Sequence, residues 1–216
     1  MSNFISYTIY MNDWTKLPSD EVINKTVESL VANNMNAVVV NTSADALQKL
    51  FELIPEGKDV NTGSSTTLKQ IGFMEHLKGE SSTYNYLGNQ VTSENDAQKR
   101  AELRRKSIAV EYFVSSVNAI TEDGKLIAVD ATGSRVGSIP FAAEKVIIVV
   151  SANKIVKDLD SAFKRIKEYV FPLEDARMKS EYGNNVSSSL NKWLILEKEF
   201  MPNRTSVIIV KESLGF

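Results

Sequence analysis

The sequence contains no cysteine and one histidine, His76. The chain therefore has no disulfide, no thiol nucleophile and no cysteine-ligated zinc site or iron–sulfur cluster of its own. A metal site would need oxygen ligands with one imidazole at most, and a Ser-His-Asp triad would need His76. We predict no metal site from these absences, and the cofactor, if there is one, is unknown.

Long apolar runs and a strong charge of one sign are also missing. The longest apolar run, Val146–Val150, is far shorter than the roughly 18 residues of a membrane span. The formal net charge is −2, so no basic surface for nucleic acid or an anionic membrane is indicated. The N-terminus lacks the basic segment and apolar stretch of a secretory signal. We expect a cytoplasmic protein with no nucleic-acid partner and no membrane partner.

The chain is 216 residues long, 43% of them hydrophobic, which fits a single domain with 1–18 as a loosely packed N-terminal segment. Helical patterns alternate with short β-branched segments in its first third, which predicts an α/β fold with a largely parallel sheet. Helices are predicted at 19–31, 43–53, 68–77, 93–109 and 158–169, the last ended by Pro172. Strands are predicted at 36–41, 58–61, 112–115, 119–121, 125–129, 145–150 and 205–211, with an exposed loop at 180–192.

A turn of small residues, Gly63-Ser-Ser-Thr-Thr67, lies between a predicted strand and a predicted helix. Gly63 permits a tight turn or a positive φ. Ser64, Ser65 and Thr66 offer hydroxyls and backbone N–H groups at a helix N-terminus, where an anion is favoured. The turn predicts either an anion site or only a capped helix, because Ser and Thr are common caps. It lacks the ending of a Walker A loop.

Polar residues cluster between 118 and 135 in a region rich in strands. They are Asn118, Glu122, Asp130, Thr132 and Arg135. Strand ends beside glycine-containing turns are where open α/β sheets build sites, but the same residues also serve as turns and caps. Asp123-Gly124 predicts a hairpin between two strands.

Two segments with basic residues are further candidates for a functional site. Asn153-Lys154 follows the strongest predicted strand, where Lys154 either meets an anionic substrate or is solvated. The basic residues between 99 and 106 are balanced by acidic neighbours, which favours a solvated helix face over a nucleic-acid surface.

Taken in order, these pieces resemble the lactate-utilisation (LUD) domain family, in the ribose-5-phosphate isomerase and CoA-transferase-like superfamily. The matching segments are 63–68, 71–72, 112–113, 115–130, 132–133, 135–136, 145–147, 153–156 and 212–216. The resemblance implies one LUD-like domain over 1–216, folded as a Rossmann-like three-layer α/β/α sandwich. It also implies a cleft between the Gly63 turn and residues 118–135.

The family implies lactate or hydroxy-acid metabolism and a small anionic ligand: a sugar phosphate, nucleotide, CoA ester or hydroxy acid. The expected ligand-binding residues are Gly63, Ser64, Ser65, Thr66, Asn118, Thr132, Gly133, Arg135, Asn153 and Lys154. Asp130 or Glu122 is the expected general base if the protein is an enzyme, with isomerase-like or transferase-like chemistry.

Two departures from the family keep other interpretations open. Ala131 and Ser134 stand where the family usually has Gly and Asn, which is also compatible with a vestigial cleft. Residues 179–200 lack the cysteines that the family often carries there, so a redox role would need a partner chain with the cluster. The alternative function is therefore a non-catalytic subunit that docks onto an iron–sulfur or flavin oxidoreductase. Homo-oligomerisation is left open.

Overall fold

The structure, a computed structural model, describes residues 13–216. Residues 1–12 of the expected N-terminal segment lie outside this range. The helices are α1 (Asp20–Ala32), α2 (Ser43–Leu53), α3 (Thr66–Gln70), α4 (Phe73–Lys78), α5 (Leu87–Ser93), α6 (Ala97–Lys106), α7 (Ser134–Gly137), α8 (Leu159–Arg165) and α9 (Phe171–Tyr182). The strands are β1 (Asn36–Val40), β2 (Asp59–Thr62), β3 (Asn85–Tyr86), β4 (Tyr112–Ser115), β5 (Ala119–Thr121), β6 (Leu126–Asp130), β7 (Lys145–Ser151), β8 (Ile155–Val156), β9 (Lys192–Leu196) and β10 (Thr205–Val210). Within the described range no helix combines the length and apolar character needed to cross a bilayer.

The main sheet has the strand order β1-β10-β7-β4-β2-β3, and every neighbouring pair is parallel. Its central strands are buried on both faces, which their continuous apolar sequences predict. Along β7, Val146 and Ile148 pack in one core with α1, whereas Ile147 and Val149 pack in another with α2 and α4. The predicted α/β fold with a parallel sheet between helices is confirmed.

A second sheet, in the order β8-β5-β6-β9, packs beside the first. The predicted hairpin is present, since β5 and β6 pair antiparallel. Gly124 in its turn has φ +83°, and a Cβ there would stand 2.8 Å from the backbone of Ser29 and Leu30 in α1. The sequence did not predict β9, which pairs antiparallel with β6. Its four apolar residues, Trp193–Leu196, were a usable signal, but the strand with which it pairs lies more than 60 residues earlier in the chain.

The predicted end of the helix at Pro172 is wrong. α8 continues through a π-helical turn, Ile166–Val170, into α9, where Pro172 is the second residue. Proline is tolerated in the first turn of an α-helix because its missing N–H would have no partner there. The π turn thus lets one long helical segment pass a proline and reach Tyr182, inside the predicted loop.

Two other helices also differ from their predictions. The segment predicted at 68–77 divides into α3 and α4 at Gly72, whose φ is +82°. The charged segment predicted at 93–109 is helical only over α6, Ala97–Lys106, and α5 precedes it.

Candidate functional site

A cavity of about 450 Å³ lies at the carboxyl edge of the parallel sheet. The chain leaves β2 at Gly63, β4 at Ser116 and β7 just before Lys154, and these three residues line one side. Carboxyl ends of parallel strands meet at one edge, which is where such sheets build sites. The loop after β6, with Asp130 and Thr132, lines another side, and the α8–α9 segment lines a third.

The Gly63 turn lines the cavity, and its local structure is that of a capped helix, one of the two predicted alternatives. Ser65 caps α3 and accepts a hydrogen bond from the Leu68 N–H at 3.2 Å. α3 has five residues, so the dipole that an anion would meet is small. Gly63 does not have a positive φ, and a Cβ there would make ordinary contacts with Ser115 and Arg135. The turn therefore contributes mainly the hydroxyls of Ser64 and Thr66.

Lys154 is the most buried cationic residue that lines the cavity, with 2% of its surface exposed. Its Nζ lies 3.1 Å from Thr67 Oγ1, 3.3 Å from Ser116 Oγ and 3.4 Å from the Val117 carbonyl oxygen. Burial, helped by the charges of Arg165 and Arg135, holds the pKa of Lys154 well below its ordinary value. No carboxylate within residues 13–216 forms an ion pair with this amine.

Arg135 joins the two sides of the cavity. Its Nη1 donates to the Ser116 carbonyl oxygen at 3.2 Å, and its Nη2 donates to the Val129 carbonyl oxygen at 2.6 Å. Asn118 Oδ1 accepts from the Val129 N–H at 2.9 Å and lies 3.4 Å from Arg135 Nη2. Because Asp130 takes the Nε donor, most of the five guanidinium N–H groups are occupied. Arg135 is therefore held as a cross-link with little donor capacity left for a ligand.

Both carboxylate oxygens of Asp130 accept hydrogen bonds. Oδ2 accepts from the N–H groups of Arg135 and Val136 at 2.8 and 3.1 Å, and Oδ1 accepts from Arg135 Nε at 3.2 Å. These contacts cap α7 and orient the arginine. They favour a positioning role for Asp130 over the predicted role of general base.

The positive charge of the cavity exceeds its negative charge. Four lining residues are cationic, Arg104, Arg135, Lys154 and Arg177, and two are acidic, Asp130 and Glu174. Arg135 pairs with Asp130 and Arg177 pairs with Glu174. In the part of the chain that the structure describes, this leaves Arg104 and Lys154 without an acidic partner. Arg104 Nη2 donates to Thr132 Oγ1 at 2.8 Å.

Three of the predicted site residues do not line the cavity. Glu122 instead pairs with Lys25, with an Nζ–Oε2 distance of 3.0 Å. Gly133, with φ +95°, packs against the side chain of Lys192. Asn153 is buried and donates to Ser213 Oγ at 3.1 Å. His76 is also elsewhere, between a tilted Phe51 ring and an edge-on Tyr84 ring.

The cavity also contains residues that were not among the expected ligand-binding residues. Thr67 and Ser116 contact Lys154. Thr67 is the last residue of the predicted Gly63-Ser-Ser-Thr-Thr67 turn and Ser116 directly follows β4, which are usable signals. Arg104 was assigned to a solvated helix face, and nothing in its local pattern distinguishes it from Arg105. Phe171 and Phe216 also line the cavity. Phe171 directly follows the π turn, and Phe216 belongs to the segment after β10.

The residues from 13 to 216 show no group of three or more His, Asp or Glu side chains arranged to hold a metal ion. The cavity lining offers cationic side chains, hydroxyls and backbone groups.

Comparisons with known proteins agree with the family resemblance. A crystal structure of a DUF162 family protein from Deinococcus radiodurans is similar with a TM-score of 0.56 at 10% identity, over 90% of this chain and 99% of that chain. A D-ribose-5-phosphate isomerase in complex with phospho-erythronic acid has a TM-score of 0.39 at 12% identity, over 80% of this chain and 95% of that chain. No curated protein matches the chain. The first similarity supports the fold alone. The family described as LUD domain matches residues 23–210, most of the chain, and the protein therefore belongs to the LUD domain family.

Proposed function

We propose that the protein binds a small anionic ligand in the cavity between the Gly63 turn and residues 116–135. The observation that carries this proposal is the charge of Arg104, a lining residue that has no acidic partner among the described residues. The lining residues Arg135 and Arg177 pair with Asp130 and Glu174, so Arg104 is the lining cation available to pair with a bound anion.

The lining also provides neutral donors for the oxygen atoms of an anion. Ser64 and Thr66 line the cavity on one side, and Ser116 and Thr132 line it elsewhere. A cavity of about 450 Å³ is within the range of small-molecule sites. The ligand classes we propose are a sugar phosphate, a nucleotide, a CoA ester or a hydroxy acid, the last suggested by the lactate-utilisation name of the family.

Arg104 is the residue best placed to test this proposal. It is charged and exposed, and its one side-chain hydrogen bond within residues 13–216 is to a hydroxyl. We expect Arg104→Gln to weaken anion binding and to leave the fold intact. Arg105→Gln is the matched control, because Arg105 is the next residue on the same helix, is exposed and does not line the cavity.

The experiment is a thermal-shift titration of the three proteins at constant ionic strength. The probes are inorganic phosphate, ribose 5-phosphate, AMP, coenzyme A and L-lactate, with chloride as the reference anion. A ligand at 100 times its Kd stabilises by about 2.7 kcal/mol, which in a protein of this size raises Tm by roughly 5–10 °C. The proposal predicts this rise in the wild type and in R105Q, and a smaller rise in R104Q. Equal shifts in all three proteins, or no shift with any probe, would contradict it.

A second candidate function, docking onto an iron–sulfur or flavin oxidoreductase, has one observation in its favour. Phe141 and Phe200 have 89% and 90% of their surfaces exposed. Their segments are joined by buried Arg204, which donates to the Ile139 carbonyl oxygen and pairs with Glu199, each at 2.9 Å. Exposed aromatic side chains on a rigid support are typical of protein contacts.

Docking is tested by purifying the protein from its native host under mild conditions. Co-elution of a chromophoric iron–sulfur or flavin protein, lost in a Phe141→Ser/Phe200→Ser variant, would support it. A wild type that elutes without a chromophoric partner would contradict it.

A further inference from the structure

Lys154 has an environment that a purely anion-binding lysine does not need. Nothing but two hydroxyls and one carbonyl oxygen lies within hydrogen-bond distance of its Nζ among residues 13–216. A surface cation attracts an anion without the cost of burial, as Arg104 can do. The buried amine therefore calls for a separate explanation.

The groups packed around Lys154 favour its uncharged form. Arg165, fully buried, donates from Nη1 to the Asn118 carbonyl oxygen at 2.7 Å and lies over the Tyr169 ring, and its Nε and Nη2 have no hydrogen-bond partner in the described residues. Arg135 approaches from α7 together with its partner Asp130. An ammonium ion at this position would face two guanidinium groups, and the nearby carboxylate is already shared with Arg135.

We propose that Lys154 is a nucleophilic amine that forms an imine with the carbonyl group of a small anionic aldehyde or ketone. The inference rests on the proposed function, because the anionic group of such a compound would be held by Arg104 and by the hydroxyls of the Gly63 turn. Uncharged lysine amines in enclosed sites are the ones that condense with carbonyl compounds.

The reaction is balanced within the site. The Nζ lone pair forms a C–N bond to the carbonyl carbon while the C=O π bond breaks, and one proton moves from nitrogen to the carbonyl oxygen to give a carbinolamine. The second nitrogen proton moves to the hydroxyl, the C–O bond breaks to release water, and the nitrogen lone pair forms the C=N bond. One water molecule is released for each imine, and no oxidant or reductant is needed.

Thr67 and Ser116 are placed to carry the protons. Their hydroxyl oxygens lie 3.1 and 3.3 Å from Nζ, so each can accept a proton from nitrogen and pass one to the departing oxygen. Both residues line the cavity next to the amine. Under this inference they are positioning and proton-transfer groups for Lys154.

Gly215 keeps the space beside the amine open. A Cβ at this position would stand 3.1 Å from Lys154 Nζ and would overlap Thr67 Oγ1. The φ of Gly215 is +62°, a conformation that side chains disfavour. Gly215 therefore approaches the amine with its backbone alone.

The inference is tested by reductive trapping. The protein is incubated with cyanoborohydride and either pyruvate, a 2-oxo acid, or glyceraldehyde 3-phosphate, an aldehyde phosphate, and the modified lysines are mapped by peptide mass spectrometry. We expect one adduct per chain at Lys154, formed roughly tenfold or more faster than at exposed Lys157. Inorganic phosphate should slow the reaction at Lys154 and not at Lys157. The arm that reacts identifies the anionic group of the ligand.

Two variants separate a chemical role from a structural one. Lys154→Arg retains a cation and cannot form an imine, so it should lose the mapped adduct. Ser116→Ala retains the amine and should slow trapping several-fold, even if the arginine variant does not fold. Lys157→Arg should trap like the wild type.

The outcomes distinguish this inference from the proposed function. Adducts confined to exposed lysines, in a protein that anions still stabilise, would overturn the imine and leave anion binding intact. Absence of both the adduct and the anion-induced shift would overturn both.

Discussion

Asp130 holds Arg135 at two points, because its Oδ2 accepts from the Arg135 backbone N–H at 2.8 Å and its Oδ1 accepts from Nε at 3.2 Å. From this position the guanidinium donates to the carbonyl oxygens of Ser116 and Val129. One pair of residues thus connects the carboxyl ends of β4 and β6, which belong to different sheets. The shape of the cavity depends on this connection.

The first prediction concerns this pair. Asp130→Asn keeps one acceptor oxygen and loses the charge, so we expect a loss of about 1–3 kcal/mol in the free energy of unfolding. We also expect a smaller anion-induced rise in Tm, because Arg135 is no longer oriented. Urea denaturation and thermal-shift titration measure the two effects, with exposed Asp160→Asn as the control. Unchanged stability and binding, with loss of turnover alone, would instead support the role of general base.

The second prediction concerns pH. Burial lowers the pKa of Lys154, whereas in the unfolded chain the value returns to 10.5. Between the folded pKa and 10.5 the unfolded state binds more protons, so folding stability contributed by this group rises with pH over that window. Lys154→Met lacks the group and should lack this rise.

The measurement is urea denaturation of the wild type and K154M from pH 7 to pH 10. The stability of K154M relative to the wild type should be greatest at the low end and should decline as the pH rises. The unfolding free energy of the control Lys157→Met, at an exposed position, should change with pH in the same way as that of the wild type. A difference between K154M and the wild type that does not change with pH would contradict the lowered pKa.

The third prediction uses two glycines with similar backbones. Gly215 and Gly57 have φ values of +62° and +77°, so alanine at either position costs about 1–2 kcal/mol in strain. A Cβ at Gly57 meets nothing within 4 Å, whereas one at Gly215 overlaps Thr67. We expect Gly215→Ala to lose the trapping of Lys154 and Gly57→Ala to retain it. Equal trapping in the two variants would show that the space beside Lys154 is not limiting.

The fourth prediction concerns the hairpin turn. A Cβ at Gly124 would stand 2.8 Å from backbone atoms of Ser29 and Leu30, which cannot rotate away. Gly124→Ala should therefore lower the free energy of unfolding by roughly 2–4 kcal/mol, because α1 must move away from the second sheet. Chemical denaturation of the wild type, Gly124→Ala and the control Gly57→Ala measures this loss. A loss no larger than that of Gly57→Ala would mean that α1 can adjust.

Much of the fold was predictable from local patterns. The apolar, β-branched sequences of β7 and β10 indicate strands buried on both faces, and Asp123-Gly124 indicates a hairpin turn. The predicted helix end at Pro172 was wrong because the π turn before this residue places it where a proline is tolerated. The edge strand β9 was not predicted, because a run of only four apolar residues, Trp193–Leu196, does not by itself distinguish a strand from a buried helical segment.

The sequence by itself determined the family, the alternation of helices and strands, and the candidate segments around Gly63, 118–135 and Lys154. These follow from short-range periodicity, turn chemistry and motif order, which neighbouring residues specify. Only the tertiary structure decided which candidates meet. It brings Thr67 and Ser116, 87 and 38 residues away in the chain, onto the amine of Lys154, and it places Glu122 beside Lys25. Side-chain partners at such separations depend on how the two sheets pack, which no local pattern encodes.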